Sequence, residues 1–127
     1  MRIAIFGAGS VGGYFGGRLS QIGEDVVFIA RGEHLNAMLT HGLRVDSING
    51  DFTVQPVKAT DEPSKAGKVD MVLVGVKAWQ VSEAAEAMRP MIGPETFVLP
   101  LQNGFEAPAQ LSEILGDQHV LGGLCGL

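Results

Sequence analysis

The chain has 127 residues, 46% hydrophobic and 18% charged, with 9 Lys and Arg against 14 Asp and Glu and a formal net charge of -5. That length suits one domain, and the apolar fraction is that of a folded globular protein rather than a disordered one. The acidic balance excludes a non-specific nucleic-acid surface, so any anionic ligand must be held locally by backbone dipoles and a few placed cations. No run approaches the roughly 20 apolar residues of a membrane span, and the N-terminus lacks the basic and hydrophobic regions of a signal peptide. The single Cys125 cannot close an internal disulfide, which suits a reducing compartment. We expect a soluble, cytoplasmic protein.

The first seventeen residues set the organisation of the rest. A short apolar run from Arg2 to Phe6 ends in Gly-x-Gly-x-x-Gly at Gly7, Gly9 and Gly12. Val11 to Ile22 then reads as a helix, with Val11, Phe15, Leu19 and Ile22 forming a stripe for packing on a sheet. Gly13, Gly16 and Gly17 inside that helix each cost on the order of 1 kcal/mol relative to Ala, a cost tolerated where a strand or ligand must come close. Gly23 is a natural stop. Asp25 to Ala30 has the continuous apolar pattern of a parallel strand covered on both faces. Strand, helix and strand thus form a βαβ unit.

His34 to His41 predicts a short helix with Leu35, Met38 and Leu39 as its apolar positions, closed by Gly42. Leu43 and Val45, then Phe52 and Val54, alternate around Asn49-Gly50, which predicts an inserted β-hairpin. Lys58 to Lys68, with Pro56 just before it and Pro63 within it, reads as a polar, partly helical connector. Val69 to Val76 is the best central strand, followed by a helix from Val81 to Arg89 that Pro90 ends. Thr96 to Leu101 predicts a strand with Pro100 at an edge or exit, and Glu106 to Leu115 a helix stopped by Gly116. His119 to Leu127 begins a further apolar, glycine-rich strand and ends within it, which we read as the front portion of a longer protein. The expected fold is α/β: a Rossmann-type doubly wound parallel sheet with a β-hairpin insertion.

A strand, a glycine turn and a helix in immediate succession leave free backbone N–H groups facing outward as an anion site. Gly7 permits the turn, Gly9 leaves room for a pyrophosphate, and Gly12 lets the helix lie close on the strand. At the end of the second strand an NAD-specific domain usually carries Asp or Glu for the ribose hydroxyls. Here the segment is Ala30-Arg31-Gly32. A guanidinium there can fork onto a 2′-phosphate, which points to NADP(H), the alternative being a solvated surface arginine. Lys77 and Asn103 each follow a strand, so both fall at the carboxyl edge of the sheet, where ligands of open α/β folds bind. Their plainer readings are a helix-entry lysine and a turn-forming Asn-Gly. Gln80 is a weaker candidate, and Trp79 is either core or a crevice wall. Asp70 reads as a capping or pairing residue. His34, His41, His119 and Cys125 have no metal-ligand spacing, so no metal site is assigned.

Four segments together resemble the ketopantoate reductase (2-dehydropantoate 2-reductase) family. They are Arg2-Ile3-Ala4-Ile5-Phe6-Gly7-Ala8-Gly9-Ser10-Val11-Gly12-Gly13, Ala30-Arg31-Gly32, Val76-Lys77-Ala78-Trp79-Gln80 and Leu101-Gln102-Asn103-Gly104. The resemblance implies that residues 1–127 form the N-terminal NADP-binding domain. It assigns the pyrophosphate to Gly7, Ala8, Gly9, Ser10, Val11 and Gly12, and the 2′-phosphate to Arg31. Lys77 would line the cofactor site, and Asn103 would touch both cofactor and substrate. It also implies reduction of the keto group of ketopantoate by NADPH, giving pantoate for pantothenate synthesis. The family's proton-donating lysine lies on a C-terminal helical domain, so no catalytic residue is assigned in this chain. The expected partner is a small 2-keto acid, with neither nucleic acid nor membrane; oligomeric state is not legible. Two alternatives stay open: a related reductase of another 2-keto acid, and a non-catalytic dinucleotide sensor for which Lys77 and Asn103 would be incidental.

Overall fold

Alternation along the first strand decides the architecture. In β1 (Arg2–Phe6), Ile3 and Ile5 enter one buried cluster and Ala4 enters another. The strand is therefore covered on both faces, as a parallel interior strand must be. The computed structural model describes residues 1–7, 10–46, 50–101 and 106–120, without the side chains of Ser10, Val11, Ala78 and Glu106. Ala8, Gly9, the hairpin turn at Asn49, Asn103 and Cys125 lie outside the described residues.

In chain order the elements are β1, α1 (Ser10–Gln21), β2 (Asp25–Ile29), α2 (Gly32–His41), β3 (Leu43–Val45), β4 (Phe52–Val54), β5 (Lys58–Thr60), α3 (Pro63–Ala66), β6 (Val69–Val74), α4 (Val81–Met88), β7 (Ile92–Pro100) and α5 (Glu106–Leu115), with single 3-10 turns at Ala78–Gln80, Arg89–Met91 and Asp117–His119. Five strands form one parallel sheet in the order β5-β2-β1-β6-β7. An isolated parallel bridge from Val98 to Val120 continues it beyond β7. On one face Ile3, Ile5, Val26, Phe28 and Leu73 pack with Met38 of α2 and Leu43 and Val45 of the hairpin. On the other, Ala4, Val27, Ile29, Val72 and Val74 meet Val81, Ala84, Ala85 and Met88 of α4 and Leu111 of α5. The α4 positions recur at i, i+3, i+4 and i+7, the stripe of a helix packed on a sheet. This is the expected doubly wound α/β fold. The hairpin is also as expected, β3 pairing antiparallel with β4 from Leu43↔Val54 to Val45↔Phe52.

The face by which α1 packs differs from expectation. Phe15 is 39% and Ile22 74% exposed, so these two stripe residues do not cover the sheet, whereas Leu19 packs partly buried against it. The buried face is instead made by Gly12, Gly13, Gly16 and Gly17. A Cβ on Gly16 would stand 2.6 Å from Phe28 Cε1 and 2.8 Å from Ile5 Cγ1, and one on Gly17 would stand 2.9 Å from Phe52 Cε2. The large strand and hairpin side chains fill the volume that helix side chains would otherwise occupy. The helix therefore turns its glycine edge inward and leaves Phe15 and, just beyond its end, Ile22 outward. The α2 helix departs in a smaller way: Met38 is buried, whereas Leu39 is 54% exposed.

The polar connector proves to contain a strand. β5 pairs parallel with β2, from Val27↔Lys58 to Ile29↔Thr60, and α3 follows it. Three residues at a sheet edge carry too little periodicity to announce a strand. β7 begins at Ile92, before the expected Thr96, with an irregularity where Ile92 opposes Val69 and Phe97 opposes Met71. Thr96 accounts for the irregularity. Its buried hydroxyl accepts from Gly93 N–H at 2.8 Å and donates to Val69 C=O at 2.6 Å, pairing backbone groups near the break in the ladder. Asp70 is a pairing residue as expected, its Oδ2 accepting from Arg2 N–H at 2.7 Å. Among the described residues no helix is long and apolar enough to cross a membrane.

At the amino edge of the sheet, Asp25 binds Lys58 Nζ at 2.8 Å and Arg2 Nε at 3.4 Å. The hydrogen bond from Lys58, helped by the charges of Lys58, Arg2 and the N-terminus, holds its carboxyl below the usual carboxylate range. A lowered folded-state value means the contribution is present above the ordinary aspartate value of about 3.9 and is lost as pH falls through the folded value. In urea denaturation Asp25→Asn should be less stable than the parent at neutral pH, and the gap should close in acid.

Candidate functional site: a glycine-lined crevice at the carboxyl edge of the sheet

Strand order determines which loops meet. From β1 the chain runs outward through β2 to β5 on one side, and through β6 to β7 on the other. The reversal lies between β1 and β6, and a crevice opens at such a point above the carboxyl ends of the strands. Phe6 is level with Ile29 of β2 and with Val74 of β6. The exits of β2, β1, β6 and β7 therefore stand side by side. They carry Arg31, Gly7, Lys77 and Leu101 in that spatial order. At about 4.8 Å per strand, the β2 and β7 exits are ~14 Å apart.

The centre of the crevice is backbone packed on backbone. Gly7 has φ +94, a conformation that L side chains rarely adopt, and a Cβ there would lie 2.8 Å from Val76 N and 2.9 Å from the Gly75 carbonyl carbon. A Cβ on Gly12 would collide with the Gly7 carbonyl oxygen, and one on Gly75 would lie 3.0 Å from that same oxygen. Gly75 N–H donates to Phe6 C=O at 2.8 Å, tying the β6 exit to the β1 exit. The three glycines thus seat the start of α1 directly over the ends of β1 and β6. The first turn of α1 has no acidic residue to compete for its free N–H groups, so this helix start suits an anion. A helix start of this kind accommodates an anion such as the pyrophosphate of a dinucleotide.

Arg31 leaves β2 in extended conformation (φ -146, ψ 165) immediately before α2 and makes no side-chain cap. Its side chain is 75% exposed, and Nη1 lies 3.7 Å from Glu83 Oε1 in the first turn of α4. The guanidinium is therefore open to solvent at the outer end of the crevice. Lys77 is exposed, and its backbone is fixed by a reciprocal pair of bonds. Lys77 N–H donates to Gln80 Oε1 at 3.1 Å, and Gln80 N–H donates to Lys77 C=O at 2.8 Å. Trp79 is 79% exposed, which removes the core reading. On the far side, Leu101 N–H donates to Val74 C=O at 2.9 Å and brings the β7 exit against β6. Asn103 follows two residues later, outside the described residues.

The structure thus brings the exits carrying Gly7, Gly12, Arg31 and Lys77 together, and sequence reasoning passed over one residue that shapes them. Gly75 signals itself only as a glycine interrupting the valine run Val74-Gly75-Val76, a pattern that marks close backbone approach. Gln80, the weaker candidate from the sequence, proves to fix the Lys77 backbone, a role with no local signal because its bond depends on the 3-10 turn that follows β6.

Residues 3–127 match the family model described as Ketopantoate reductase PanE/ApbA. A 2-dehydropantoate 2-reductase of Nostoc sp. is 36% identical over 126 residues, covering 99% of this chain and 39% of that protein. The crystal structure of 2-dehydropantoate 2-reductase from Geobacter metallireducens GS-15 superposes with a TM-score of 0.90 at 42% identity, covering 98% of this chain and 41% of that one. A ternary structure of D-mandelate dehydrogenase with NADH and anilino(oxo)acetate superposes with a TM-score of 0.86 at 27% identity, over 97% of this chain and 40% of that one. The chain spans about two-fifths of the length of these relatives. It belongs to the ketopantoate reductase PanE/ApbA family.

Proposed function

We propose that residues 1–127 form the NADP(H)-binding domain of a reductase that converts ketopantoate to pantoate, the step that feeds pantothenate synthesis. The observation that carries the cofactor assignment is Arg31, an exposed guanidinium at the β2 exit where an NAD-specific domain has an acid. In this reading the backbone from Gly7 through Ala8, Gly9, Ser10 and Val11 to Gly12 holds the pyrophosphate. Arg31 binds the 2′-phosphate at one end of the crevice. Lys77, held by Gln80, lines the middle, and Asn103 meets the nicotinamide and the keto acid at the β7 end. The ~14 Å between outer exits suits an extended dinucleotide laid across the strand ends. When bound, the nicotinamide supplies the hydride. This chain's residues bind and orient, and none of them is assigned the proton transfer; Lys77 belongs to the cofactor half of the crevice. A cytoplasmic location completes the reading, since the single Cys125 suits a reducing compartment.

The D-mandelate dehydrogenase neighbour favours a second reading, a reductase of another 2-keto acid built on the same cofactor domain. One assay separates the two. NADPH consumption is measured with ketopantoate and with the keto acid of mandelate, on this chain alone and on this chain fused to the remaining length of the Nostoc relative. The proposal expects turnover of ketopantoate by the fusion and none by the chain alone. Preference of the fusion for the keto acid of mandelate supports the second reading. A folded fusion that binds NADPH but reduces neither acid contradicts both.

A further inference from the structure

We infer that Glu83 is a specificity-determining residue that competes with the 2′-phosphate of the cofactor for Arg31. The inference rests on the cofactor reading given above. Its starting point is the geometry of α4. Val81, Ala84, Ala85 and Met88 are buried against the sheet, which leaves Glu83 and Glu86 on the outer face. The two carboxylates then behave differently. Glu86 is held on its own helix by Arg89, through Nε at 2.8 Å and Nη2 at 3.2 Å. Glu83 reaches across the crevice edge to the β2 exit, with Oε1 3.7 Å from Arg31 Nη1.

A 2′-phosphate bound to Arg31 would occupy space beside this carboxylate. It must take the guanidinium from Glu83 and then sit next to a negative group. Both effects weaken a cofactor that carries the phosphate and spare one that does not. Their size is bounded by exposure. At 75% and 68% exposed, Arg31 and Glu83 form a solvated pair, so the tuning amounts to a small factor that salt reduces. Glu83 thus sets how strongly the crevice prefers NADP(H), while Arg31 sets the direction of that preference.

The test is calorimetric titration of the chain with NADPH and with NADH at low and high salt. Glu83→Gln should tighten NADPH by about twofold to fivefold at low salt, leave NADH unchanged, and lose its gain at high salt. In an Arg31→Ala background Glu83→Gln should give a smaller gain for NADPH, since competition for the guanidinium is gone and only the repulsion between carboxylate and phosphate is left to relieve. Glu86→Gln makes the same change of charge one turn along the helix and should leave both cofactors unchanged. No gain in Glu83→Gln, an equal gain for NADH, or the same gain in Glu86→Gln overturns the inference. Arg31→Ala separates this failure from that of the cofactor reading. A selective NADPH loss in Arg31→Ala, with no response to Glu83→Gln, sinks the inference alone. An equal loss of both cofactors in Arg31→Ala sinks both.

Discussion

Gly12→Ala is expected to abolish dinucleotide binding and to destabilise the fold by about 1–3 kcal/mol, the usual cost of forcing extra atoms into a packed site. The added Cβ would fall on the Gly7 carbonyl oxygen, with Ile5 Cγ2 only 3.3 Å away. A carbonyl fixed at the end of a strand cannot swing aside as a flexible side chain does. Relief comes from lifting the start of α1 off β1, and that movement takes the helix N–H groups away from the anion they would bind. Gly16→Ala provides the contrast. Its Cβ meets the Phe28 and Ile5 side chains one turn deeper in the helix, so it should lower stability comparably while the folded fraction still binds NADPH. Chemical denaturation with parallel calorimetric titration separates the two. Parental NADPH affinity in Gly12→Ala would show that the glycine packing is scaffold only.

Arg31→Ala is expected to weaken NADPH binding by about 1.5–3 kcal/mol, the range for hydrogen bonds to charged groups. NADH binding should change little, because NADH has nothing at the ribose 2′ position for the guanidinium to hold. The fold should be indifferent: Arg31 is 75% exposed and its pair with Glu83 is solvated. Calorimetry with each nucleotide reads the difference directly. Equal losses would mean that Arg31 assists through general charge, without contact to a 2′-phosphate.

Much of the fold was legible because the parallel strands β1, β2 and β6 are short apolar runs between glycine, proline and polar breaks. The hairpin was legible from its alternation. The packing face of α1 was legible in part: its glycines marked a close approach, as found, but the apolar stripe pointed to Phe15 and Ile22, which are exposed. Hydrophobic periodicity assumes that the packed side of a helix is its apolar side, and in α1 the strands and hairpin supply the bulk. Phe28 and Ile5 press against Gly16, and Phe52 against Gly17, so the glycines form the face and Phe15 is left half-exposed. The information was present in four glycines within one helix but carried the opposite sign from a stripe. β5 was illegible for another reason. It is held by pairing with β2 and by the Lys58–Asp25 contact, and neither partner is near in sequence.

In the crevice, residues that act through their position at a strand exit were legible: Gly7, Gly12, Arg31 and Lys77 each follow a recognisable strand. Those that act through contacts made by folding were not. Gly75 is recognised only once β6 lies beside β1, and the role of Gln80, a weaker candidate from the sequence, only once the turn after Lys77 brings its side chain back to the backbone. Glu83 belongs with them, because its relation to Arg31 exists only across the sheet edge.

The central claim, an NADP(H) crevice built on Gly7, Gly12 and Arg31, is tested most directly by titrating the unmodified chain with NADPH and NADH in the same buffer. The account predicts binding of both, with NADPH tighter by at least about tenfold, the equivalent of roughly 1.4 kcal/mol at the 2′-phosphate. Equal affinities, a preference for NADH, or no binding of either nucleotide by the folded chain would contradict it.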